Sequence, residues 1–418
     1  MAEAYIIDAV RTPRSIGKMG KGALSHMHPQ HLAATVLKAL KDRNNLNTAD
    51  VDDIIWGTSA QMGQQGGDMG RMAALDAGYD QKASGVTLDR FCGSGVTATN
   101  LAAGQIMSGM EDLVIAGGTE MMSYVAHYGG KVREAGLGSS GGMSNGNARL
   151  QAAHPQSHQG VAADAIAAKE GISRAELEAF GVESQRRAGV AIKEGRFAKS
   201  VVPVVDDDGN VVLDHEEYPR PDTTAETLAA MKPAFEMFGA MPSAPDGPTF
   251  AGLINQKYPD LKIEHVHHVG TSSGVVDGAA AILLASKDYA DKHGLKPRAR
   301  IVAMANVGDC PTLMLNAPVP AAKKVLAKAG LTVADIDVFE VNEAFAVVTE
   351  KFIRDLGIDR AKLNINGGAI ALGHPIGATG AVLIGTALDE LERSGGRYAL
   401  ITMCAAGGMA PAIVIERV

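Results

Sequence analysis

The first 120 residues alternate apolar, strand-like runs with segments that carry apolar residues at helical spacing. Strands are predicted at Tyr5–Val10 and Ala49–Trp56, and a buried strand is predicted at Asp112–Gly118. Helices are predicted at His31–Arg43, where leucine and valine recur at helical intervals, and around Arg71–Ala77. This alternation of β and α elements predicts an α/β fold.

The second half of the chain repeats this order of elements. A predicted helix at Ala321–Ala329 precedes Ala334–Val341, a run similar to Ala49–Trp56. A buried strand is then predicted at Arg397–Cys404. We therefore expect an internal duplication, with two similar β/α halves.

Between the halves the chain changes in character, and residues 123–273 are predicted to form an inserted loop domain. Tyr124–Pro155 is rich in Gly, Ser, Asn and His, whereas Gly160–Lys199 is largely helical in pattern. The further predicted elements are a strand–turn–strand over Val201–Leu213, a helix at Thr223–Met231, an irregular, proline-containing Phe235–Pro259, and a helix at Asp277–Leu284 that returns the chain to the core.

Composition narrows the class of protein. The 418 residues are 46% hydrophobic and 21% charged, which suits a globular chain of two or three domains. The formal charge of -8 argues against nucleic acid as a main partner. Three cysteines without a CxxC pair exclude a disulfide framework and a zinc ribbon. With no signal-peptide pattern and no membrane-length apolar run, we expect a protein of the reducing cytoplasm.

Cys92 is the first candidate for chemistry. Gly93 and Gly95 follow it, and a run of small residues then predicts a helix. Free N–H groups and the helix dipole at such a start favour a thiolate. The alternative is a small buried cysteine on a turn. His374, within Gly373–Gly380, opens the matching helix of the second half.

The spacing of the repeat supports this pairing. Asp50 lies 42 positions before Cys92, and Asp335 lies 39 positions before His374. A cysteine nucleophile needs a base or an electropositive setting, and histidine exchanges protons near neutral pH. The duplication is expected to bring the two helix starts together between the lobes.

Two further residues follow predicted strands. Cys404 ends a buried strand and enters a glycine turn, where it is either a packed core cysteine or a second reactive thiol. Asn342 follows the run that ends at Val341 and is either a helix cap or an amide that orients a water or stabilises an oxyanion. Two cysteines with different tasks suggest acyl transfer to sulfur followed by attack of a carbanion.

Together these stretches resemble the thiolase family. The principal matches are Cys92–Gly95, Asn342–Phe345, Gly373–Gly380 and Cys404 with its glycines. Further matches are Arg11–Pro13, Gly195–Phe197, Lys232–Phe235 and Ser272–Ala280. They span almost the entire chain in the right order, so the joint pattern is specific although each piece alone is weak.

The resemblance implies reversible, CoA-dependent cleavage of a 3-ketoacyl-CoA through an acyl-cysteine intermediate. Cys92 would take the acyl group with His374 as activator, and Cys404 would exchange a proton with the methyl group of acetyl-CoA. His374 and a water held by Asn342 would face the enolate oxygen. Backbone N–H groups of Cys92 and of Ala406, which stands where the family has a glycine, would face the acyl oxygen.

The resemblance also implies substrate contacts. His158 and Phe345 would line the acyl pocket, and Ser273, Arg220 and Phe235 would contact coenzyme A. For Arg220 a solvated loop arginine is the equal alternative. Because the segment after Phe235 is longer than expected, the choice between acetoacetyl-CoA and longer or branched acyl chains stays open, as does the direction of the reaction. No permanently bound cofactor is implied.

The implied fold has two βαβαβαββ lobes, each around a mixed five-stranded sheet, stacked as five layers (αβαβα) with the inserted loop domain. The N-terminal lobe would comprise residues 1–122 with about 274–297, the CoA-binding loop domain 123–273, and the C-terminal lobe 298–418. A homodimer or homotetramer is implied, and Tyr124–Pro155 is a candidate assembly segment.

Two alternatives remain on the same fold. A decarboxylating ketosynthase or a hydroxymethylglutaryl-CoA synthase would be a different condensing enzyme, but ketosynthases carry a second histidine in place of Asn342 and lack the second cysteine. A non-catalytic lipid carrier on this fold is the other alternative, but it would not need Cys92, His374, Cys404 and Asn342 to be intact. A metal site at His265, His267 and His268 is disfavoured because adjacent strand residues point to opposite faces.

Overall fold

The computed structural model describes residues 3–134, 147–244 and 246–418, which form twelve strands and fifteen α-helices. The strands are β1 (Ala4–Arg11), β2 (Ser15–Ile16), β3 (Asp53–Gly57), β4 (Val86–Leu88), β5 (Leu113–Met121), β6 (Val204–Val205), β7 (Val211–Leu213), β8 (Val276–Ser286), β9 (Ala299–Gly308), β10 (Val338–Val341), β11 (Tyr398–Thr402) and β12 (Met409–Arg417).

The helices lie between and around these strands. They are α1 (Pro29–Arg43), α2 (Met69–Asp76), α3 (Ser94–Ser108), α4 (Met122–Glu134), α5 (Ala148–Ala153), α6 (Gln159–Glu170), α7 (Arg174–Lys193), α8 (Ala225–Ala229), α9 (Glu236–Ala240), α10 (Phe250–Lys257), α11 (Lys287–His293), α12 (Pro318–Ala329), α13 (Ala346–Leu356), α14 (Ala369–Leu372) and α15 (Ile376–Ser394). No helix in the described ranges is long and apolar enough to cross a membrane.

The main strands form two sheets of the same topology. The first has the order β4-β3-β5-β8-β1, in which β3 pairs parallel with β4 and β5, and the remaining pairs are antiparallel. The second has the order β10-β11-β12-β9, again with the early pair parallel and the later pairs antiparallel. The predicted duplication is thus confirmed. The edge strands β1 and β9 also pair over two residues, which joins the sheets.

The fifth strand of the second sheet differs from the prediction. Only a single parallel bridge, between Phe339 and Leu363, stands where the first sheet has β4. The next residue, Asn364, has a left-handed backbone (φ 46°), which ends the extended run. Its side-chain amide accepts from the N–H of Val341 and donates to the carbonyl of Val341, both at 2.9 Å. An amide side chain therefore replaces the missing strand backbone.

Five layers follow from the packing of helices on the sheets. Helices α1 and α2 cover the outer face of the first sheet, α12 and α13 cover that of the second, and α3 and α15 fill the middle layer. The starts of α3 and α15 touch through glycines. A methyl group on Gly380 would lie 2.0 Å from the backbone nitrogen of Val96, and one on Gly95 would lie 2.8 Å from that of Ala381. The glycines thus permit the contact.

The inserted region packs against the second lobe through its own apolar cluster. Residues of α6, α10 and α13 meet the Leu313–Leu315 stretch and Cys404 there. The predicted segment Tyr124–Pro155 contains α5 and all of α4 except its first two residues, while residues 135–146 lie outside the described ranges. The assembly role suggested for that segment stays a prediction.

Two further predictions, both of secondary structure, are wrong. Asp277–Leu284 is not a helix but part of β8, whose eleven residues are all buried between β1 and β5. A run buried on both faces carries neither the helical nor the strand period, so periodicity could not separate the two. Phe235–Pro259 is not wholly irregular, because α9 and α10 lie within it, and Thr249 caps α10 by accepting from the N–H of Gly252 at 3.0 Å.

Candidate active site

Cys92 lies on a tight turn between β4 and α3. Phe91 has a left-handed backbone (φ 49°), a conformation that is costly for a residue with a bulky side chain. The Ser94 hydroxyl oxygen accepts from the N–H of Arg90 at 2.9 Å and donates to the carbonyl of Phe91 at 2.7 Å. These bonds hold the turn, and they leave Cys92 buried at the helix start with 7% of its surface exposed.

The protonation of Cys92 differs from the expectation. Burial raises the pKa of the thiol to about 12, and the Glu120 and Asp89 carboxylates act in the same direction. A hydrogen bond from its own backbone N–H acts oppositely but is outweighed. The expectation of a thiolate at Cys92 is therefore wrong, because the cost of desolvating the charge exceeds the stabilisation by the N–H groups and dipole of the helix start. Cys92 rests as a thiol and needs a base.

His374 is held at the start of the second buried helix. It follows Gly373, whose left-handed backbone (φ 88°) turns the chain out of α14. The backbone N–H of His374 donates to the carbonyl of Gly274 at 2.8 Å, which ties the turn to the strand region of the first lobe. Burial lowers the pKa of the imidazole to about 4, so His374 is neutral at pH 7.

The hydrogen bonds of His374 assign its tautomer. Nδ1 lies 2.6 Å from the Thr379 hydroxyl oxygen, and that hydroxyl lies 2.9 Å from the carbonyl of Pro375. The hydroxyl has one proton and gives it to the carbonyl, so Nδ1 of His374 must be the donor to Thr379. Nε2 then carries a lone pair and lies 3.4 Å from Nδ2 of Asn342. The ring is thus prepared to accept a proton at Nε2.

Asn342 and Cys404 follow neighbouring parallel strands. Strands β10 and β11 pair with Val341 opposite Thr402, so their carboxyl ends meet at one edge of the sheet. The N–H of Asn342 donates to the carbonyl of Thr402 at 3.3 Å. This register brings Asn342 next to the Cys404 turn, and both residues are fully or almost fully buried.

The two cysteines lie close together. Burial, and secondly the neighbouring Cys92, raise the pKa of the Cys404 thiol above its usual range. Their turns touch as well, since a methyl group on Gly93 would lie 3.4 Å from the side chain of Ala405. The structure thus brings Cys92, His374, Asn342 and Cys404 into one site from four separate parts of the chain.

Ala406 lies in the turn that follows Cys404. The turn is closed by paired backbone bonds between Ala405 and Met409, at 2.7 and 3.1 Å, and Ala406 is buried within it. Gly407 and Gly408 both have left-handed backbones (φ 77° and 78°). The replacement of a glycine by Ala406 therefore leaves the glycine-dependent positions of the turn intact.

His158, Phe235 and Phe345 meet in an aromatic cluster beside Cys404. The His158 ring stacks on Phe238 with centroids 4.4 Å apart and lies 5.6 Å from the ring of Phe235. Phe235 in turn meets Phe345 edge-on at 5.7 Å. Burial lowers the pKa of His158, so it packs as a neutral aromatic ring. The three phenylalanines belong to the same apolar cluster as Cys404, so the second thiol has apolar surroundings.

Ser273 and Arg220 lie further out. The N–H of Ser273 donates to the carbonyl of Ala344 at 3.0 Å, so Ser273 stands beside the segment that carries Asn342 and Phe345. Arg220 is exposed, and its backbone N–H donates to the side chain of Gln185 on α7 at 2.8 Å. This position suits either alternative for Arg220.

Sequence reasoning missed Glu120 and Thr379. Glu120 is the next-to-last residue of the apolar strand β5 and is fully buried. It accepts hydrogen bonds from N–H groups of Ser59, Ala60, Gln65 and Gly377 at 2.9–3.1 Å. The acid therefore braces the first lobe against the start of α15. Its signal was a lone carboxylate at the end of an apolar run. Thr379 lay unremarked within the recognised motif around His374.

The cluster of three histidines has a structural arrangement. The carboxylate of Asp164 forms hydrogen bonds with Nδ1 of His265 and with Nδ1 of His267, both at 2.7 Å. Nε2 of His268 lies 3.1 Å from the carboxylate of Glu178. Over the described ranges, no group of three or more His, Cys, Asp or Glu side chains could hold a metal ion.

Comparisons with known proteins agree with this geometry. The protein-family model of the thiolase N-terminal domain matches residues 4–247, and that of the thiolase C-terminal domain matches residues 295–417. The chain is 41% identical to a beta-ketoadipyl-CoA thiolase of Pseudomonas aeruginosa. The match covers 100% of this chain and 99% of the relative.

Two further relatives extend this result. The chain is 39% identical to a steroid 3-ketoacyl-CoA thiolase of Mycobacterium tuberculosis, over 100% of this chain and 95% of the relative. It is 40% identical to the 3-oxoadipyl-CoA/3-oxo-5,6-dehydrosuberyl-CoA thiolase of Escherichia coli, over the whole of both chains. These matches support neither the other condensing enzymes nor the lipid carrier. The chain therefore belongs to the thiolase family, whose members are acyltransferases that use CoA thioesters as substrates.

Proposed function

We propose that this chain is a 3-ketoacyl-CoA thiolase whose reaction is carried by Cys92, His374, Cys404 and Asn342. The observation that carries the proposal is the neutral imidazole of His374. Its Nδ1–H is committed to Thr379, and its Nε2 lone pair faces the side-chain amide of Asn342 at 3.4 Å. Because the thiols and the imidazole are uncharged at rest, the site can begin proton transfer without having to keep a charge buried beforehand.

In the first half-reaction the Cys92 sulfur attacks C3 of the 3-ketoacyl-CoA, and its proton passes to Nε2 of His374. The bond between C2 and C3 then breaks and leaves the acyl group on sulfur. The electron pair remains on the acetyl-CoA enolate, whose carbon takes the proton of Cys404. The raised pKa of both thiols supports this order, because each thiol keeps its proton until a base takes it, which is His374 for Cys92 and the enolate carbon for Cys404.

In the second half-reaction the sulfur of free CoA attacks the acyl-Cys92 carbonyl. Its proton passes to the Cys404 thiolate, and the leaving Cys92 sulfur recovers the proton held by His374. Every group returns to its starting protonation. Read in reverse, the same steps form a carbon–carbon bond from two acyl-CoA molecules, and the direction depends on which substrates are supplied.

Two oxyanion sites are assigned in this proposal. His374 and a water held by Asn342 stabilise the enolate oxygen, and the backbone N–H groups of Cys92 and Ala406 stabilise the acyl oxygen. Donors fixed before the reaction stabilise developing charge strongly in a dry site. The closed turn around Ala406 and the register that brings Asn342 beside it support this assignment.

Coenzyme A is assigned to the loop domain, residues 123–273, between the N-terminal lobe (1–122 with about 274–297) and the C-terminal lobe (298–418). Phe235 and Ser273 contact the pantetheine arm, and Arg220 contacts the nucleotide. The position of Ser273 beside Ala344 supports its role, and the exposure of Arg220 suits a phosphate contact at the surface.

The acyl group is proposed to be apolar and longer than that of acetoacetyl-CoA. The apolar cluster that contains Cys404 is aliphatic and aromatic, and the neutral ring of His158 stacks on its member Phe238. A terminal carboxylate buried among such side chains would lose its hydration without a partner. An apolar 3-ketoacyl chain of this kind is the substrate of fatty-acid β-oxidation.

A second candidate is a 3-oxo dicarboxylic acyl group, as in the names of two relatives. One observation favours it. Lys257 lies at the rim of the same cluster, with Nζ 3.3 Å from the sulfur of Cys310, and could instead meet a carboxylate. The two candidates differ only in what they expect at the far end of the acyl chain.

The test compares 3-oxohexanoyl-CoA with 3-oxoadipyl-CoA, which share a chain length and differ in the terminal carboxylate. Acetoacetyl-CoA serves as the short reference, and acetyl-CoA release with free CoA is the readout. The proposal expects kcat/KM for 3-oxohexanoyl-CoA to exceed that for 3-oxoadipyl-CoA by at least about tenfold. A reversed preference that disappears in Lys257→Met would establish the second candidate, and no acetyl-CoA from any substrate would reject the thiolase assignment.

A homodimer or homotetramer and a cytoplasmic location complete the proposal. All three cysteines are free thiols, which suits a reducing compartment. Light scattering after size-exclusion chromatography distinguishes the two assemblies, and a monomer would contradict both.

A further inference from the structure

Glu340 is a buried acid that the reaction above does not use. It lies on β10, two residues before Asn342, so the two side chains project from the same face of the strand. That face is directed toward α15, whereas Phe339 and Val341 pack in the outer cluster of the second lobe. Glu340 is fully buried.

Three oxygen atoms on this face have no hydrogen-bond partner among the residues that the structure describes. They are both carboxyl oxygens of Glu340 and Oδ1 of Asn342. Both residues line a cavity of about 10 Å³, which Thr379, Leu383 and Thr386 of α15 also line. A space of this size holds one water molecule, and water occupies such spaces when polar groups surround it.

The surroundings favour the uncharged form of the Glu340 carboxyl. Burial, with the carboxylates of Glu343 and Glu390, raises its pKa well above the ordinary value, against a smaller opposite effect of Arg14 and Arg187. An uncharged carboxyl has an O–H to donate, whereas Oδ1 of Asn342 can only accept. A water between them accepts from the acid and donates to the amide oxygen, which satisfies both groups.

We propose that Glu340 is a positioning residue, which holds the amide of Asn342 in one orientation through a single buried water molecule. The proposal rests on the function assigned to Asn342 above. With Oδ1 held on the cavity side, Nδ2–H faces Nε2 of His374. In the opposite orientation Oδ1 would face the Nε2 lone pair, and two acceptors would meet. Glu340 therefore selects the orientation in which the amide serves the enolate oxygen.

The consequence is confined to one part of the reaction. Steps that form or protonate the enolate need the oriented amide, whereas acylation of Cys92 needs His374 as a base. Loss of the Glu340 carboxyl is therefore expected to slow exchange of the acetyl-CoA methyl protons with solvent more than it slows acylation.

The experiment compares Glu340→Leu, which removes all hydrogen bonding at similar volume, with Glu340→Gln, which stays uncharged and keeps an N–H donor. Methyl-proton exchange is followed in D2O, and acylation of Cys92 is followed by rapid quench and mass spectrometry. Glu340→Leu is expected to slow exchange by about 10- to 100-fold, less than the loss of an oxyanion donor itself. Acylation should change less than about threefold, and Glu340→Gln should restore most of the exchange rate.

A double-mutant cycle with Asn342→Ala tests the route. Glu340→Leu should add little to Asn342→Ala if it acts through the amide. Additive losses, equal losses of exchange and acylation, or no rescue by glutamine would overturn the proposal.

A crystal structure of the unmodified protein gives a test that needs no variant. A water within hydrogen-bond distance of both Glu340 and Oδ1 of Asn342 is expected, and a dry cavity would overturn the proposal. If the unmodified protein itself neither exchanges methyl protons nor acylates Cys92, the assigned function fails instead, whatever Glu340 does.

Discussion

The two lobes share one topology but carry different residues at the ends of their corresponding strands. In the first lobe the next-to-last residue of β5 is Glu120, which accepts hydrogen bonds from four N–H groups and braces the neighbouring turns. In the second lobe Cys404 comes after the corresponding strand, β11, and Asn342 comes after β10. The comparison teaches that one copy of the duplicated frame holds the site in place while the other carries most of its reactive groups.

The corresponding helix starts differ in a second way. Cys92 precedes α3 and His374 precedes α15, and both are buried where the two helices touch. Burial raises the pKa of the thiol and lowers that of the imidazole, so each remains uncharged. The same physical effect thus gives one lobe a protonated nucleophile and the other an unprotonated base.

The largest effect on this division between the lobes is expected from removing the sulfur of Cys92 or of Cys404. Cys92→Ala should abolish acyl-enzyme formation and lower kcat by about 10⁴-fold or more, because the nucleophile is lost. Cys404→Ala should still become acylated on Cys92 but should not make or break the carbon–carbon bond. Intact-protein mass spectrometry after incubation with acetyl-CoA distinguishes the two outcomes. Failure of both variants to acylate would contradict the division of tasks.

A smaller effect is expected from Thr379→Val, which removes the acceptor of the Nδ1–H of His374. The imidazole can then adopt the tautomer with its lone pair on the wrong nitrogen, and acylation should slow by about 10- to 100-fold, part of what a general base contributes. Thr349→Val is the matched control, because Thr349 is a buried helical threonine that donates to the carbonyl of Ala346. Equal rates in the two variants would show that the tautomer is not held by Thr379.

Glu120→Gln tests the bracing role of the first lobe. Glutamine presents an NH2 group where every present partner is a donor, so the free energy of unfolding should fall by about 2 kcal/mol. The lost negative charge should also lower the pKa of Cys92, because Glu120 now raises it. Urea unfolding and the pH dependence of Cys92 alkylation measure the two effects, with the partly exposed Glu111→Gln as control. Unchanged stability would mean that the four N–H groups find other acceptors.

Much of the architecture could be predicted because the duplication repeats a recognisable order of motifs. The run before Asn342 resembles the run before Trp56, and the topology places both in corresponding strands. The prediction failed at Asp277–Leu284, since a strand buried on both faces has no period to read. It also failed for the fifth strand of the second sheet, where the side chain of Asn364 takes the place of strand pairing.

For the site, the sequence indicated which side chains meet but not their protonation. A cysteine at a helix start suggested a thiolate, yet the pKa depends on burial and on Glu120, which lies far away in sequence. Glu120, Thr379 and Glu340 were missed for the same reason. The partners of Glu120 come from several other parts of the chain, and those of Thr379 lie within its own motif. In both cases, and for the unpartnered oxygens of Glu340, only the folded arrangement defines a hydrogen bond or the lack of one.

The smallest expected effect is an absence of pH dependence where an ordinary histidine would show one. With the pKa of His374 lowered to about 4, single-turnover acylation of Cys92 should change less than about twofold between pH 7 and 5. For a histidine with an unperturbed pKa of about 6.5, the fraction in the base form would fall about 25-fold over that range. Between pH 6.5 and about pH 4, the imidazole of residue 374 binds a proton in the unfolded chain but not in the folded one. His374 therefore lowers the free energy of unfolding as the pH falls through that range. Acylation measured on protein shown to be folded at each pH separates the two effects, and a midpoint near 6.5 would place His374 in water rather than between the lobes.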